Sequence, residues 1–164
     1  MHARTIPIFT HFLTALDGVL AKAEAHCEAN AIKPEALLEF RLFPDMMTLT
    51  RQVQLACDFA ARGCDRLCAR ELRSFEDSET SFAQLRARIA AVMAHIATAS
   101  PSDFDGAETR TITLKLRTTE MEMSGERFLE GYAKPQFYFH VTTAYNILRH
   151  NGVALGKRDY MGIA

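Results

Sequence analysis

The sequence lacks most of what identifies an activity at sight. It has no glycine-rich phosphate loop, no GxSxG, no HExxH, no HxH cluster and no CxxC pair. The usual local signatures of nucleotide binding, serine hydrolysis, zinc proteolysis and zinc ribbons are therefore missing. It also has little net charge, −1 at pH 7. Its Lys and Arg residues are scattered rather than run together, so there is no electrostatic footprint for DNA, RNA or an anionic membrane. No uninterrupted apolar run approaches the roughly 20 residues that span a bilayer. Arg4 followed by Ile6 to Leu20 loosely mimics a secretory signal, but His11, Asp17 and Gly18 interrupt it, and an amphipathic helix fits better. Internal repeats and low-complexity segments are absent as well. Nucleic acid and membrane are thus set aside as partners, and a cytoplasmic location is expected.

What is present is ordinary globular material. With 164 residues, 48% hydrophobic and 24% charged, the chain suits one domain, 1–164, able to bury a core without metal or disulfide staples. Its four cysteines include Cys57, Cys64 and Cys68 at helical spacing. They read as reduced packing residues, since bridging Cys64 to Cys68 would strain a helix.

The expected fold is mainly all-α: a four-helix bundle with a small β-hairpin between the third and fourth long helices. The first helix begins near Pro7, with Thr5 as its cap, and carries Phe9, Leu13, Leu16 and Leu20 on one stripe. A linker with a short turn of helix at 35–39 follows. Pro44 is expected to open the second long helix, with Leu49, Val53, Ala56, Ala60 and Leu67 inward. Ser78 or Thr80 caps the third, with Phe82, Leu85, Ile89, Val92 and Ile96 as its core face. From Thr111 the period changes to two. A two-residue loop at Thr118-Thr119 would set Leu114 opposite Met123, Leu116 opposite Met121, Lys115 opposite Glu122 and Arg117 opposite Glu120. Thr-Thr, however, lacks the Gly or Asn that such a turn favours. Ser124 then caps the fourth helix, with a break near Pro135 and Gly152 at its end. The tail from Val153 is read as too polar for a further helix and as packing across the bundle.

Few residues offer chemistry. On the fourth helix Phe137, Val141, Ala144 and Leu148 centre the buried face, and Gln136, His140 and Thr143 lie on one flank among apolar neighbours. Buried polar groups need partners, and Asp45 and Gln52, seven apart on the expected second helix, are the candidates. Asp45 with His140 could move a proton or bind a metal, and could equally be structural. The other flank carries Tyr138, Tyr145 and Arg149, which could seat a small anion or simply anchor the tail. Asp77 and Glu79 read as acidic capping residues, and Lys157, Arg158 and Asp159 as a salt-bridged clamp.

Several segments resemble a bacterial family. They are Arg41-Leu42-Phe43-Pro44-Asp45-Met46, Arg51-Gln52-Val53-Gln54, Asp77-Ser78-Glu79-Thr80-Ser81-Phe82 and Pro135-Gln136-Phe137-Tyr138-Phe139-His140-Val141-Thr142-Thr143-Ala144-Tyr145. The tail, Leu148 to Val153 with Gly156 to Tyr160, completes the pattern. Over essentially the whole chain these resemble the DUF1993 family of uncharacterised proteins, within the DinB/YfiT-like superfamily of four-helix bundles. The resemblance implies a bundle that is often dimeric and often metal-dependent, with some relatives acting as thiol-dependent transferases or isomerases. The superfamily's site is three histidines, one at the start of the second helix and two spaced i, i+4 in the last. Carried over, these fall near Asp45 and on Gln136 and His140, so one histidine of three survives. One imidazole, one carboxylate and one amide make a poor zinc or nickel site, and neither a metal nor another cofactor is expected.

Two functions remain open. One is a non-catalytic small-molecule-binding or dimeric scaffold protein. The other is a transferase or isomerase with a degenerate or absent metal site, in which Asp45 and His140 are catalytic and Gln52, Gln136, Tyr138, Tyr145 and Arg149 bind. A homodimer is expected, because Phe137, Tyr138 and Phe139 point in three directions on a helix and leave Phe139 towards water.

Overall fold

A computed structural model describes residues 1–115 and 118–163. Four long helical elements enclose the core: α1 (His2–Ala29), α3 (Leu49–Leu67), α4 (Phe82–Ile96) and the composite α5–α6, of which α5 is Gly125–Phe128 and α6 is Lys134–His150. Shorter pieces are α2 (Pro34–Leu38), a 3₁₀ turn at Pro101–Phe104, and α7 (Lys157–Met161). A two-stranded antiparallel hairpin, β1 (Thr111–Lys115) and β2 (Glu120–Ser124), precedes α5. Around the bundle α1 packs on α4, α4 on α3, α3 on α6 and α6 on α1. The apolar stripes meet as expected: Phe9, Leu13, Leu16, Val53, Ala60, Leu85, Ile89, Phe137 and Ala144 are all buried.

Helix starts differ from expectation in instructive ways. α1 runs through Pro7, which this close to the N-terminus forfeits a single bond to the Ala3 carbonyl. Thr5 does not cap it but donates its hydroxyl to Met1 O at 3.1 Å. α3 begins at Leu49 rather than Pro44, because Thr48 accepts the Arg51 N–H at 3.3 Å and Pro44 lies in the preceding turn. α4 is capped by Ser81, whose Oγ accepts from Gln84 N at 3.2 Å, in place of Ser78 or Thr80. Gln84 reaches back to accept the Thr80 N–H at 2.6 Å.

The hairpin exists, with a register two residues from the expected one. Leu114 pairs with Met121 and Lys115 with Glu120. The connection is therefore four residues long, and Leu116 and Arg117 lie outside the described residues. A shift of two leaves every side chain on its face: Ile112 and Leu114 are buried while Thr111, Thr113 and Lys115 are exposed. The base of the hairpin is fixed at Gly125, whose N–H donates to Arg110 O at 2.8 Å. A Cβ at Gly125 would collide with the Ala107 carbonyl, so no other residue fits this approach.

Ser124 caps α5 as expected, accepting from Arg127 N at 3.3 Å. The break before Pro135 takes the form of a π-turn, Leu129–Ala133, in which Lys134 N–H reaches Leu129 O five residues back. Gly152 takes φ +87° just beyond α6. The tail is not wholly irregular: α7 packs on α1, with Asp159 accepting from Gly156 N at 2.7 Å and pairing with Lys22 at 2.5 Å.

By length and composition α1 could cross a membrane, with a mean hydropathy of 1.2 over its best 18-residue window. That exceeds what the interrupted sequence implied. Its apolar stripe, Phe9, Leu13, Leu16, Leu20 and Ala23, is instead a wall of the bundle core. The four cysteines are free, and burial pushes the Cys57 thiol up to about 12.

Candidate functional site

The α3–α6 seam brings His140 and Gln52 together. His140 Nδ1 lies 2.7 Å from Gln52 Oε1, and Gln52 Nε2 donates to Met47 O at 3.3 Å. That second bond fixes the amide orientation, so Oε1 faces the ring and Nδ1 carries the proton. Nε2 is then the bare nitrogen, and it has no protein partner among the described residues. The ring stacks on Phe59 at 5.5 Å and 14°. Burial first, and then the charge of Arg51, pull the His140 pKa down to about 4, so the imidazole is neutral at pH 7.

The other sequence candidates do not join it. Asp45 is exposed in the turn before α3, makes no hydrogen bond or ion pair among the described residues, and does not share a helical face with Gln52. The expected Asp45–His140 dyad is thus replaced by Gln52–His140. Gln136 is half-buried, one turn from His140, and lines a shallow cleft with Tyr132, Pro135 and Phe139. Thr143 satisfies itself on Phe139 O at 2.7 Å. Tyr138 packs edge-on against Phe12 at 5.1 Å, and Tyr145 against Tyr160 at 5.9 Å, which ties α6 to α1 and the tail. Arg149 is exposed in the last turn of α6. Among the described residues no three His, Cys, Asp or Glu side chains cluster to hold a metal.

A second cavity, not foreseen, opens on the outer side of α3 beneath the hairpin and the π-turn. It holds about 210 Å³. Arg51, Leu55, Phe59, Arg62 and Arg66 come from one face of α3, Leu114 and Lys115 from β1, and Phe128 and Tyr132 from the α5–α6 junction. The spacing of the α3 residues, 51, 55, 58, 59, 62 and 66, is one continuous helical stripe. The π-turn positions Tyr132, which contacts Phe59 at 6.1 Å and Phe128 at 5.9 Å.

Behind the cavity lies an ion-pair network around Arg88, whose side chain is 2% exposed. Arg88 binds Asp58 at 2.8 Å, Glu79 at 3.0 Å, Asp77 at 3.1 Å and the Glu76 carbonyl at 2.9 Å. Gln54 donates to Glu79 at 2.8 Å, and Arg51 pairs with Asp77. The acidic segment that read as a capping loop is therefore a strap sewn onto α3 and α4. A further pair, Asp65 with His95 Nε2 at 2.8 Å, fastens α3 to α4, and Asp65 also accepts Arg73 N–H at 2.9 Å.

Residues 1–161 match the model of a domain of unknown function, DUF1993. The chain is similar to a solved structure, a DinB family member from Shewanella denitrificans, at 41% identity and a TM-score of 0.93. That match covers 98% of this chain and 91% of the other. No curated protein matches.

Proposed function

Because the chain belongs to the DUF1993 family and has a DinB-like fold, we propose that it is a non-catalytic small-molecule-binding protein whose site is the α3–hairpin cleft. The observation that carries this reading is the cleft itself, half apolar and half polar in its lining side chains. Such mixed concavities are the usual ligand sites. Its one carboxylate, Asp58, is already held by Arg88 and Arg62, which leaves little in the cleft to act as a base. Reduced cysteines accord with a cytoplasmic setting.

A thermal-shift panel of metabolite-sized compounds tests the reading. At least one chemical class is expected to raise Tm by several degrees, as saturating ligand adds stability by mass action. Leu55→Trp, which fills the cleft, is expected to remove that response. A panel with no response, or one indifferent to Leu55→Trp, would sink the proposal.

The transferase or isomerase reading draws on a different observation, the neutral His140 with Nε2 bare. Stoichiometric zinc or nickel in untagged protein, lost on His140→Ala, would favour it.

We also propose a homodimer with α6 in the contact. Phe139 is 55% exposed and Met47 49%, and both border the Gln52–His140 pair. A two-fold contact would cover the same patch on both copies. Light scattering at micromolar concentration is expected to give twice the chain mass, and Phe139→Glu to give the monomer. A monomeric parent protein would refute this.

A further inference from the structure

The cleft carries more positive charge than its surroundings balance. Arg51 is spent on Asp77, and Asp58 is shared between Arg88 at 2.8 Å and Arg62 at 3.6 Å. Arg66 has no carboxylate partner among the described residues; its one hydrogen bond there runs to Arg62 O at 3.5 Å. Lys115 also has no ion pair among the described residues, although Glu120 stands opposite it in the hairpin. Arg66, without a carboxylate, and Arg62, held by Asp58 only at 3.6 Å, thus project two guanidiniums one helical turn apart into a partly enclosed space. Burial and then Arg62 lower the Arg66 pKa, with Tyr132 and Asp65 opposing. Holding two cations side by side in a half-buried cleft destabilises the free protein, and an anion between them reverses the sign of that interaction.

Around this pair the walls are flat and apolar. Phe59 and Tyr132 present aromatic rings, and Leu55 and Leu114 extend the surface. Guanidiniums match the oxygens of carboxylates and phosphates in a planar fork. We infer that the cleft binds an organic anion, a carboxylate or phosphate on a flat apolar body, with Arg62 and Arg66 seating the charged group and Phe59 and Tyr132 the body. This rests on the small-molecule reading above and names the chemical class of its ligand.

The test uses one body with three head groups: 2-naphthoate, 2-naphthyl phosphate and uncharged 2-naphthol. The chain has no tryptophan, so naphthyl emission is read against a dark background. One or both anions are expected to bind one per chain, about tenfold or more tighter than the naphthol, as for hydrogen bonds to charged groups. Whichever anion binds more tightly identifies the head group. Arg66→Met is expected to weaken the anions about tenfold and leave the naphthol unchanged, while Arg66→Lys retains part of the affinity. Arg62→Met, on a side chain 41% exposed, repeats the test without disturbing packing. Free Arg66→Met protein is expected to melt no lower than the parent, since an uncompensated charge has been removed. A purely structural Arg66 would lower Tm instead and overturn the assignment. Equal binding of all three probes, insensitive to either arginine, would overturn the anion inference and leave the small-molecule reading standing. No binding of any probe in the cleft would remove the anion inference, and the thermal-shift panel would then decide the small-molecule reading separately.

Discussion

Arg88→Met is expected to destabilise the fold by about 3–5 kcal/mol in urea unfolding at pH 7, the usual cost of breaking a buried ion pair from one side. Methionine retains much of the aliphatic stem, so the loss is electrostatic rather than a cavity. Asp58 and Glu79 have side chains only 11% exposed. Without Arg88, Asp58 retains the more distant Arg62 at 3.6 Å, and Glu79 retains the neutral Gln54. Asp77 keeps Arg51 and is 40% exposed, so it contributes least. The Glu76 carbonyl also loses its donor. Two further measurements separate this account from simple misfolding. Adding Asp58→Asn and Glu79→Gln to Arg88→Met is expected to restore part of the stability, because the stranded charges are gone. Adding the same two changes to the parent is expected to be destabilising, because the buried Arg88 then keeps only the exposed carboxylate of Asp77, which it shares with Arg51. A loss under 1 kcal/mol for Arg88→Met, or no recovery in the triple variant, would show that the network is not holding the strap.

The core was legible in the sequence because apolar periodicity repeats over whole helices. Phe137, Val141, Ala144 and Leu148 fall where the 100° wheel puts them, and all four are buried. Starts were not legible to the residue, because capping is a contest among neighbours. Ser78, Thr80 and Ser81 can all cap, and only Ser81 has Gln84 three residues on. The hairpin register failed for a different reason. Alternating charge and apolarity repeat every two residues, so a slip of two satisfies the pattern equally; the turn had to decide, and Thr118-Thr119 could not form it alone.

The site was half legible. A polar histidine among apolar neighbours demanded a partner, and Gln52 is that partner. Asp45 failed because helix α3 begins after it, at Leu49 with Thr48 as the cap. The cleft was missed because its arginines were read as scattered charge. Their signal was present: Arg51, Leu55, Phe59, Arg62 and Arg66 form a single stripe on the side of α3 away from Val53, Ala60 and Leu67. Which of those arginines would be neutralised depended on the 73–81 strap folding back, and that is a long-range contact no periodicity encodes.

Acid is expected to destabilise the parent protein through His140, in a window set by that residue. Its pKa lies near 4 in the fold, held down by burial and Arg51, against about 6.5 in the unfolded chain. Above pH 6.5 both states are neutral at this position and His140 contributes no slope. Between 6.5 and about 4 the unfolded chain takes up a proton that the folded one refuses, so stability falls as pH falls. Below about 4 both states are protonated and the slope vanishes. The gap corresponds to at most about 3 kcal/mol. Carboxylates titrate elsewhere: hydrogen bonding from Ser100, and Arg70 beside it, hold Asp103 below its ordinary range, and bonding from Arg4 does the same for Glu126. Those groups lose their partners' help only below about pH 4, their unfolded range, where the His140 contribution is ending. His140→Gln keeps a polar group against Gln52 and removes the titration. Urea unfolding of parent and variant at half-unit steps from pH 7.5 to 4 therefore gives curves that converge on acidification, the parent losing about 2–3 kcal/mol more than the variant. Parallel curves across that window would mean that His140 accepts its proton as freely in the fold as outside it, and that burial and Arg51 do not hold it neutral.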